Sequence, residues 1–182
     1  MNHIQLLPFG SVPAALLAEL RNGLRREFLV PCEIHPPEPD PLFAYNITRQ
    51  QYHSTEILAY MRNRETPPSS RLLGVTAVDL YIPILTFVFG EAQLQGTCAL
   101  LSAYRLRQEF YGLPSNPSLF HARLLKEATH ELGHTLSLTH CDNYQCVMSP
   151  SHAVEWIDLK SPTFCPTCRS QVNKITATQV RA

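Results

Sequence analysis

The chain has 182 residues, 45% of them hydrophobic, with 15 Lys+Arg against 15 Asp+Glu and a formal net charge of zero. That is apolar material for one ordinary domain and too little for two, so a single catalytic-size domain over residues 1–182 is expected. The balanced charge removes the electrostatic pull that nucleic acids or anionic membrane surfaces require of a partner.

At the N-terminus, Met1–Leu20 lacks a basic leader and is broken by Pro8, Gly10 and Pro13, so it does not read as a signal peptide. No apolar run approaches the roughly 20 residues of a membrane span. The expectation is a cytoplasmic, monomeric protein without a membrane or nucleic-acid partner. His3–Phe9 reads as a strand, and Val12–Phe28 as an amphipathic helix because Leu16, Leu17, Leu20 and Leu24 recur at helical spacing. A strand over Phe28–Cys32 follows, then an extended loop enforced by Pro31, Pro36, Pro37, Pro39 and Pro41.

Thr48–Met61 reads as a second helix, ended by the polar stretch containing Pro67 and Pro68. Leu72–Ile82, Leu85–Phe89 and Thr97–Tyr104 are rich in Val, Leu, Phe and Tyr and read as three strands. The short Glu91–Gly96 connection makes the last two an antiparallel hairpin, one of them an edge strand. Asn116 is a good N-cap and Pro117 a good first residue for a helix running to about Leu136, with Phe120, Leu124, Leu125, Ala128, Leu132 and Leu136 on its apolar stripe. A cysteine-rich loop and a short last helix, about Thr167–Ile175, complete the chain.

The predicted long helix carries His130-Glu131-Leu132-Gly133-His134. Residues four apart stand one above the other, about 5–6 Å between Cβ atoms, so both imidazoles reach one ion. Glu131 is then placed beside the metal, where its carboxylate can take a proton from a zinc-bound water. A catalytic zinc needs a third protein ligand and one open position. His140 supplies the ligand if the chain leaves the helix and turns back, as the pattern H-E-x-x-H-x-x-G-x-x-H requires. Ser137 stands where that pattern has glycine, and a left-handed serine costs roughly 1 kcal/mol. Zinc binding releases about ten times that.

Four of the six cysteines crowd into the last third of the chain: Cys141, Cys146, Cys165 and Cys168. In a reducing compartment, two thiolate pairs at such spacing form a closed structural zinc site. Two disulfides, or a redox pair at Cys165 and Cys168, are the alternatives. Cys32 and Cys98, in predicted strands, read as buried core thiols. The signature of zinc nucleobase deaminases fails on spacing at His152–Glu155, and a nucleic-acid-binding zinc ribbon lacks a basic patch.

His130, Glu131, His134, His140, Cys141, Cys146, Met148, Cys165 and Cys168 together resemble the archaemetzincin family, as do the segments Leu73–Tyr81 and Phe87–Ala92. The departures are Ser137 and a spacer between Met148 and Cys165 about one residue short. The resemblance implies an α/β (α+β) metzincin-type zincin domain: a mixed twisted sheet with an antiparallel edge strand lining the cleft, an active-site helix, and a four-cysteine zinc subdomain. The division falls into an N-terminal part, about 1–138, and a zinc-stapled C-terminal part, about 139–182. It also implies a Met-turn at Met148 and two Zn²⁺, one catalytic and one structural. The expected function is a zinc metallopeptidase that hydrolyses peptide bonds by Glu131-assisted attack of water on a peptide or protein substrate. The rival is a zinc-binding interaction module of the same fold with little or no peptidase activity, favoured if the Ser137 turn fails. No tyrosine follows Met148 to support an oxyanion. Tyr144 could substitute, though a ring packed on its own loop is the simpler reading. Glu127 reads equally as a solvent-facing charge or as support for the histidines, and Asp79 and Asp158 as structural residues.

Overall fold

His3–Phe9 sends Ile4 and Leu6 to one side and Leu7 and Phe9 to the other, and all four are fully buried. A strand apolar on both faces belongs in the middle of a covered sheet, and that is its place. The structure, a computed structural model, describes residues 1–64 and 66–179. In chain order its first elements are β1 (His3–Phe9), α1 (Ala14–Phe28), β2 (Cys32–Ile34), β3 (Tyr45–Asn46), β4 (Gln51–His53) and α2 (Ser54–Arg62). After these come β5 (Ser70–Thr76), β6 (Leu80–Tyr81), β7 (Gly90–Ala92), β8 (Cys98–Ser102), α3 (Pro117–Thr135), α4 (Val154–Leu159) and α5 (Pro166–Gln179).

The main sheet has the order β2-β1-β5-β8-β7. Its first four strands are parallel, and β7 lies antiparallel to β8 at the edge. A small second sheet, β3-β4-β6, sits beside it. Alternation sends Leu73, Val75, Ala99 and Leu101 towards α1 and α3, and Leu72, Cys98 and Leu100 towards α2. The fold is therefore α/β with a mixed sheet and an antiparallel edge strand. Among the described residues no helix is long and apolar enough to cross a membrane.

Several elements depart from the sequence expectation, each for a local reason. Residues 28–32 are not a strand: α1 runs to Phe28, Leu29 takes a left-handed conformation (φ 56°), and β2 starts only at Cys32. The helix expected over Thr48–Met61 starts at Ser54, because Gln50 is left-handed (φ 55°) and residues 51–53 form β4, which pairs with β3 and β6. The expected strand Leu72–Ile82 divides after Thr76. Leu85–Phe89 is not a strand but a braced loop: Arg49 donates to the carbonyls of Leu85 (2.8 Å) and Thr86 (3.1 Å), and Gln51 to that of Thr86 (2.9 Å). The hairpin expectation holds with β7 moved to Gly90–Ala92. Helix α4 is absent from the sequence reading, and α5 is longer than expected.

Asn116 caps α3 by accepting from the backbone N–H of Leu119 (3.1 Å), and Pro117 fills the first position. The helix lays Leu124, Ala128 and Leu132 on the sheet. It also buries charges. Arg123 makes a two-pronged bond to Asp158 (2.7 and 2.6 Å), and Lys126 donates to the carbonyls of Ile157 and Asp158. These contacts dock α4 on the helix, and Asp79 is likewise structural, gripped by Arg105.

Candidate metal centres

Helix α3 ends in a Schellman motif: the N–H of Leu138 bonds the carbonyl of Gly133 (3.1 Å) and that of Ser137 bonds His134 (3.0 Å). Ser137 takes the left-handed conformation (φ 67°) that the glycine position requires, so the reversal closes without glycine. It brings His140 back to the helix. The ring centroids of His130 and His134 stand 4.6 Å apart, and His140 lies 5.4 and 5.1 Å from them.

The orientation of the rings is informative. His130 Nδ1 donates to the Val147 carbonyl and His134 Nδ1 to the Leu138 carbonyl, both at 2.8 Å. Each Nε2 is then a bare lone pair, yet the two Nε2 atoms stand 3.0 Å apart. Two acceptors that close repel each other unless a cation lies between them. Burial also holds the three imidazoles below their ordinary titration range, with neighbouring positive charge adding to the effect. Neutral imidazoles with their far nitrogens pinned to carbonyls are the donor set zinc takes, and the ligand atoms of all three lie within 4.8 Å of one another.

Glu131 is buried against this cluster. Burial first, then the carboxylates of Glu127 and Glu91, push its carboxyl well up, while Lys160 opposes them. The residues open onto a cleft of about 580 Å³, walled by Phe87, Phe89, Gly90 and Leu94 on the sheet side and by Pro150, Ser151 and His152 opposite.

The four cysteines form a second cluster, their Sγ atoms within 4.8 Å of one another and none of them in a disulfide. Cys141 and Cys165 Sγ are 3.9 Å apart, and the Cys165 N–H donates to Cys146 Sγ (3.3 Å). The backbone N–H of Cys168 draws the Cys165 thiol down to about 7. Four convergent sulfurs suit a closed tetrahedral ion. Between the clusters the Cys141 N–H bonds the Met148 carbonyl (3.0 Å). Met148 is fully buried beneath α3, and any Cβ at position 133 would collide with its sulfur.

With this geometry in place, comparison with known proteins places the chain. The sequence profile of peptidase family M54 matches residues 43–174. The chain belongs to peptidase family M54. It is a zinc metallopeptidase, a hydrolase. This M54 chain is 46% identical over 165 residues to an archaemetzincin of Methanocaldococcus jannaschii, covering 91% of this chain and 89% of that protein. It is similar to the crystal structure of an archaemetzincin from Archaeoglobus fulgidus complexed with malonate (TM-score 0.81, 38% identity, 93% of this chain and 99% of that one). It also resembles the archaemetzincin structure from Methanopyrus kandleri (TM-score 0.84, 33% identity, 97% and 96% covered).

Two expectations about the surroundings of the M54 site change. Glu127 is not solvent-facing: it is buried and bonds Lys160 Nζ (3.3 Å), itself buried. Nothing in the sequence marks Lys160, since a lysine after the apolar pattern of α4 carries no signal that it folds inwards. Tyr144 is 65% exposed and does not line the cleft, so the oxyanion role does not fit it. Cys32 and Cys98 are buried thiols at the starts of β2 and β8, and burial pushes Cys32 up to about 12.

Proposed function

We propose that His130, His134 and His140 hold the catalytic zinc, that Glu131 is the general base, and that Cys141, Cys146, Cys165 and Cys168 hold a second, structural zinc. The observation carrying this reading is the pair of bare Nε2 atoms 3.0 Å apart, each ring fixed by a carbonyl at its other nitrogen. A zinc ion bound there would supply a Lewis acid for the scissile carbonyl and the attacking water. Glu131, buried at the cleft wall, takes the proton of that water and returns it to the departing amine. Burial of the carboxylate strengthens its attraction for the proton, which suits a base working near neutral pH. Met148 supports the centre from below as the Met-turn residue, its side chain packed on bare Gly133.

On this reading residues 1–182 act as one catalytic domain on peptides, working as a monomer in a reducing cytoplasm where the four thiols stay free for metal. The rival, an inactive zinc module, drew its support from a failed turn at Ser137. That turn is closed by two backbone hydrogen bonds, which leaves the rival without a motivating feature. The test is elemental analysis together with cleavage of a quenched fluorescent peptide library. Two zincs per chain are expected, with turnover lost in Glu131→Gln while both zincs remain. Wild-type turnover in Glu131→Gln would overturn the assignment of the base, and a single zinc per chain would overturn the two-site reading.

A further inference from the structure

The segment Phe89-Gly90-Glu91-Ala92 borders the cleft, yet the reaction as described above uses none of its side chains. Gly90 opens the edge strand β7, opposite Leu101 of β8. A Cβ built there would lie 2.7 Å from Cγ and 2.8 Å from Oε1 of Glu131, and 2.6 Å from the Leu100 carbonyl oxygen. Non-bonded carbon atoms rest at about 3.5–4.0 Å, so Glu131 lies against strand backbone where no other amino acid leaves room. Glycine within a strand weakens it and marks a close approach of another group, and here that group is the carboxylate-bearing side chain itself.

The neighbouring residue is fixed from the opposite side. Alternation along β7 turns Glu91 towards α2, where Ser54 Oγ donates to its Oε2 (2.5 Å) and Thr55 Oγ1 to its Oε1 (2.9 Å). Ser54 is fully buried, and Ser54 and Thr55 are the first two residues of α2, whose N-cap position, His53, provides no side-chain cap. The Glu91 carboxylate therefore fills the start of that helix, where the dipole favours negative charge. An edge strand has a neighbour on one side only and would otherwise be the least constrained part of the sheet. The α2 contact ties it down within one residue of the point where Glu131 rests.

We propose that Gly90 and Glu91 are positioning residues that seat Glu131: Gly90 leaves the hollow in β7 that receives its side chain, and Glu91 pins the strand to α2 so that the hollow keeps its place. This rests on the reading of Glu131 as the base. Misplacing a reacting group by about 1 Å can cost about 100-fold in rate. In the zinc-loaded enzyme, Gly90→Ala is therefore expected to lower kcat by roughly 10- to 100-fold on a quenched fluorescent peptide that the wild type cleaves. KM should stay within about threefold and zinc content should not change, because the nearest atoms to an added methyl are those of Glu131 and the Leu100 carbonyl, not those of a zinc ligand. Glu91→Gln, which weakens the tie to Ser54 and Thr55, is expected to lower kcat by about fivefold with the same split.

The deciding measurement needs no activity. In the zinc-loaded protein, the loss of Tm caused by Gly90→Ala is expected to shrink by at least half when Glu131→Ala removes the side chain occupying the hollow, a coupling measured by a double-mutant cycle. If Gly90→Ala does not fold but the double variant does, the proposal is likewise supported. An equal Tm loss in both backgrounds, or failure of both variants to fold, would overturn it, since the conflict would then lie with the Leu100 carbonyl alone. Unchanged kcat in Glu91→Gln would overturn the role given to Glu91. Wild-type turnover in Glu131→Gln would instead strike the underlying assignment and leave the stability coupling intact, so the two failures are distinguishable.

Discussion

At His140 and Cys141 two consecutive residues turn to different clusters, and the clusters are built differently. The histidines come from a helix and a chain reversal, with His130 buried, His134 half-buried and His140 exposed at the mouth of a cleft. The cysteines come from loops and the start of α5, and Cys146 and Cys168 are buried. Around the cysteines lie structural contacts: Phe164 packs edge-on against Phe28 of α1, and Arg169 pairs with Glu27. Around the histidines lie carboxylates and an opening. A closed cluster among packing contacts should contribute stability, and an open one beside a carboxylate should contribute chemistry.

Ligand substitutions should separate these roles. Cys146→Ser is expected to remove one zinc and lower Tm by at least about 15 °C by calorimetry, since structural zinc free energies reach about 10 kcal/mol and each kcal/mol moves Tm by about 2–4 °C at this size. His140→Ala should also remove or loosen one zinc and abolish turnover, yet shift Tm by less than a third of that amount. Equal Tm losses would erase the distinction.

Next in size is the buried pair behind the histidines. Lys160→Met leaves Glu127 without its partner and is expected to cost about 3–5 kcal/mol in denaturant unfolding. The double variant Lys160→Met, Glu127→Gln should recover more than half. A smaller and pH-dependent effect belongs to Glu131. Its carboxyl is pushed up by burial from an ordinary value near 4.5, so the folded chain holds that proton to higher pH than the unfolded chain. The associated stability is present at low pH and lost as pH rises through the raised range. Metal-free Glu131→Gln should therefore gain on metal-free wild type as pH increases above about 4.5, and a constant difference would contradict the direction.

These contrasts also explain what was legible in the sequence. The helix bearing His130 and His134 was readable because its cap, first proline and apolar stripe agree, and the cysteine spacing exposed the second cluster. β1 was readable for the same kind of reason, as a short apolar run. Position 50 was not, because a left-handed glutamine carries no mark that ends a helix pattern, and the strand-like residues 85–89 conceal a loop whose carbonyls are taken by Arg49 and Gln51 from far along the chain. Glu127 looked ambiguous for a similar reason: its burial depends on Lys160, 33 residues away.

The smallest effect lies at the reversal joining the clusters. Ser137→Gly removes the cost of a left-handed side chain and should raise stability by about 1 kcal/mol, or roughly 2–4 °C in Tm, without changing zinc content. A loss of stability would mean that the serine side chain contributes something the turn geometry does not reveal.

The sulfur of Met148 is sealed beneath bare Gly133, with no exposed surface and so close that a Cβ at position 133 would overlap it. Oxidants should therefore reach this thioether only when the floor of the site opens, so sulfoxide formation at Met148, followed by peptide mass spectrometry, would serve as a clock for that opening. Once oxidised, the larger and polar side chain would sit poorly in its apolar place, and a brief excursion would persist as damage at the centre of the enzyme until the sulfoxide was reduced.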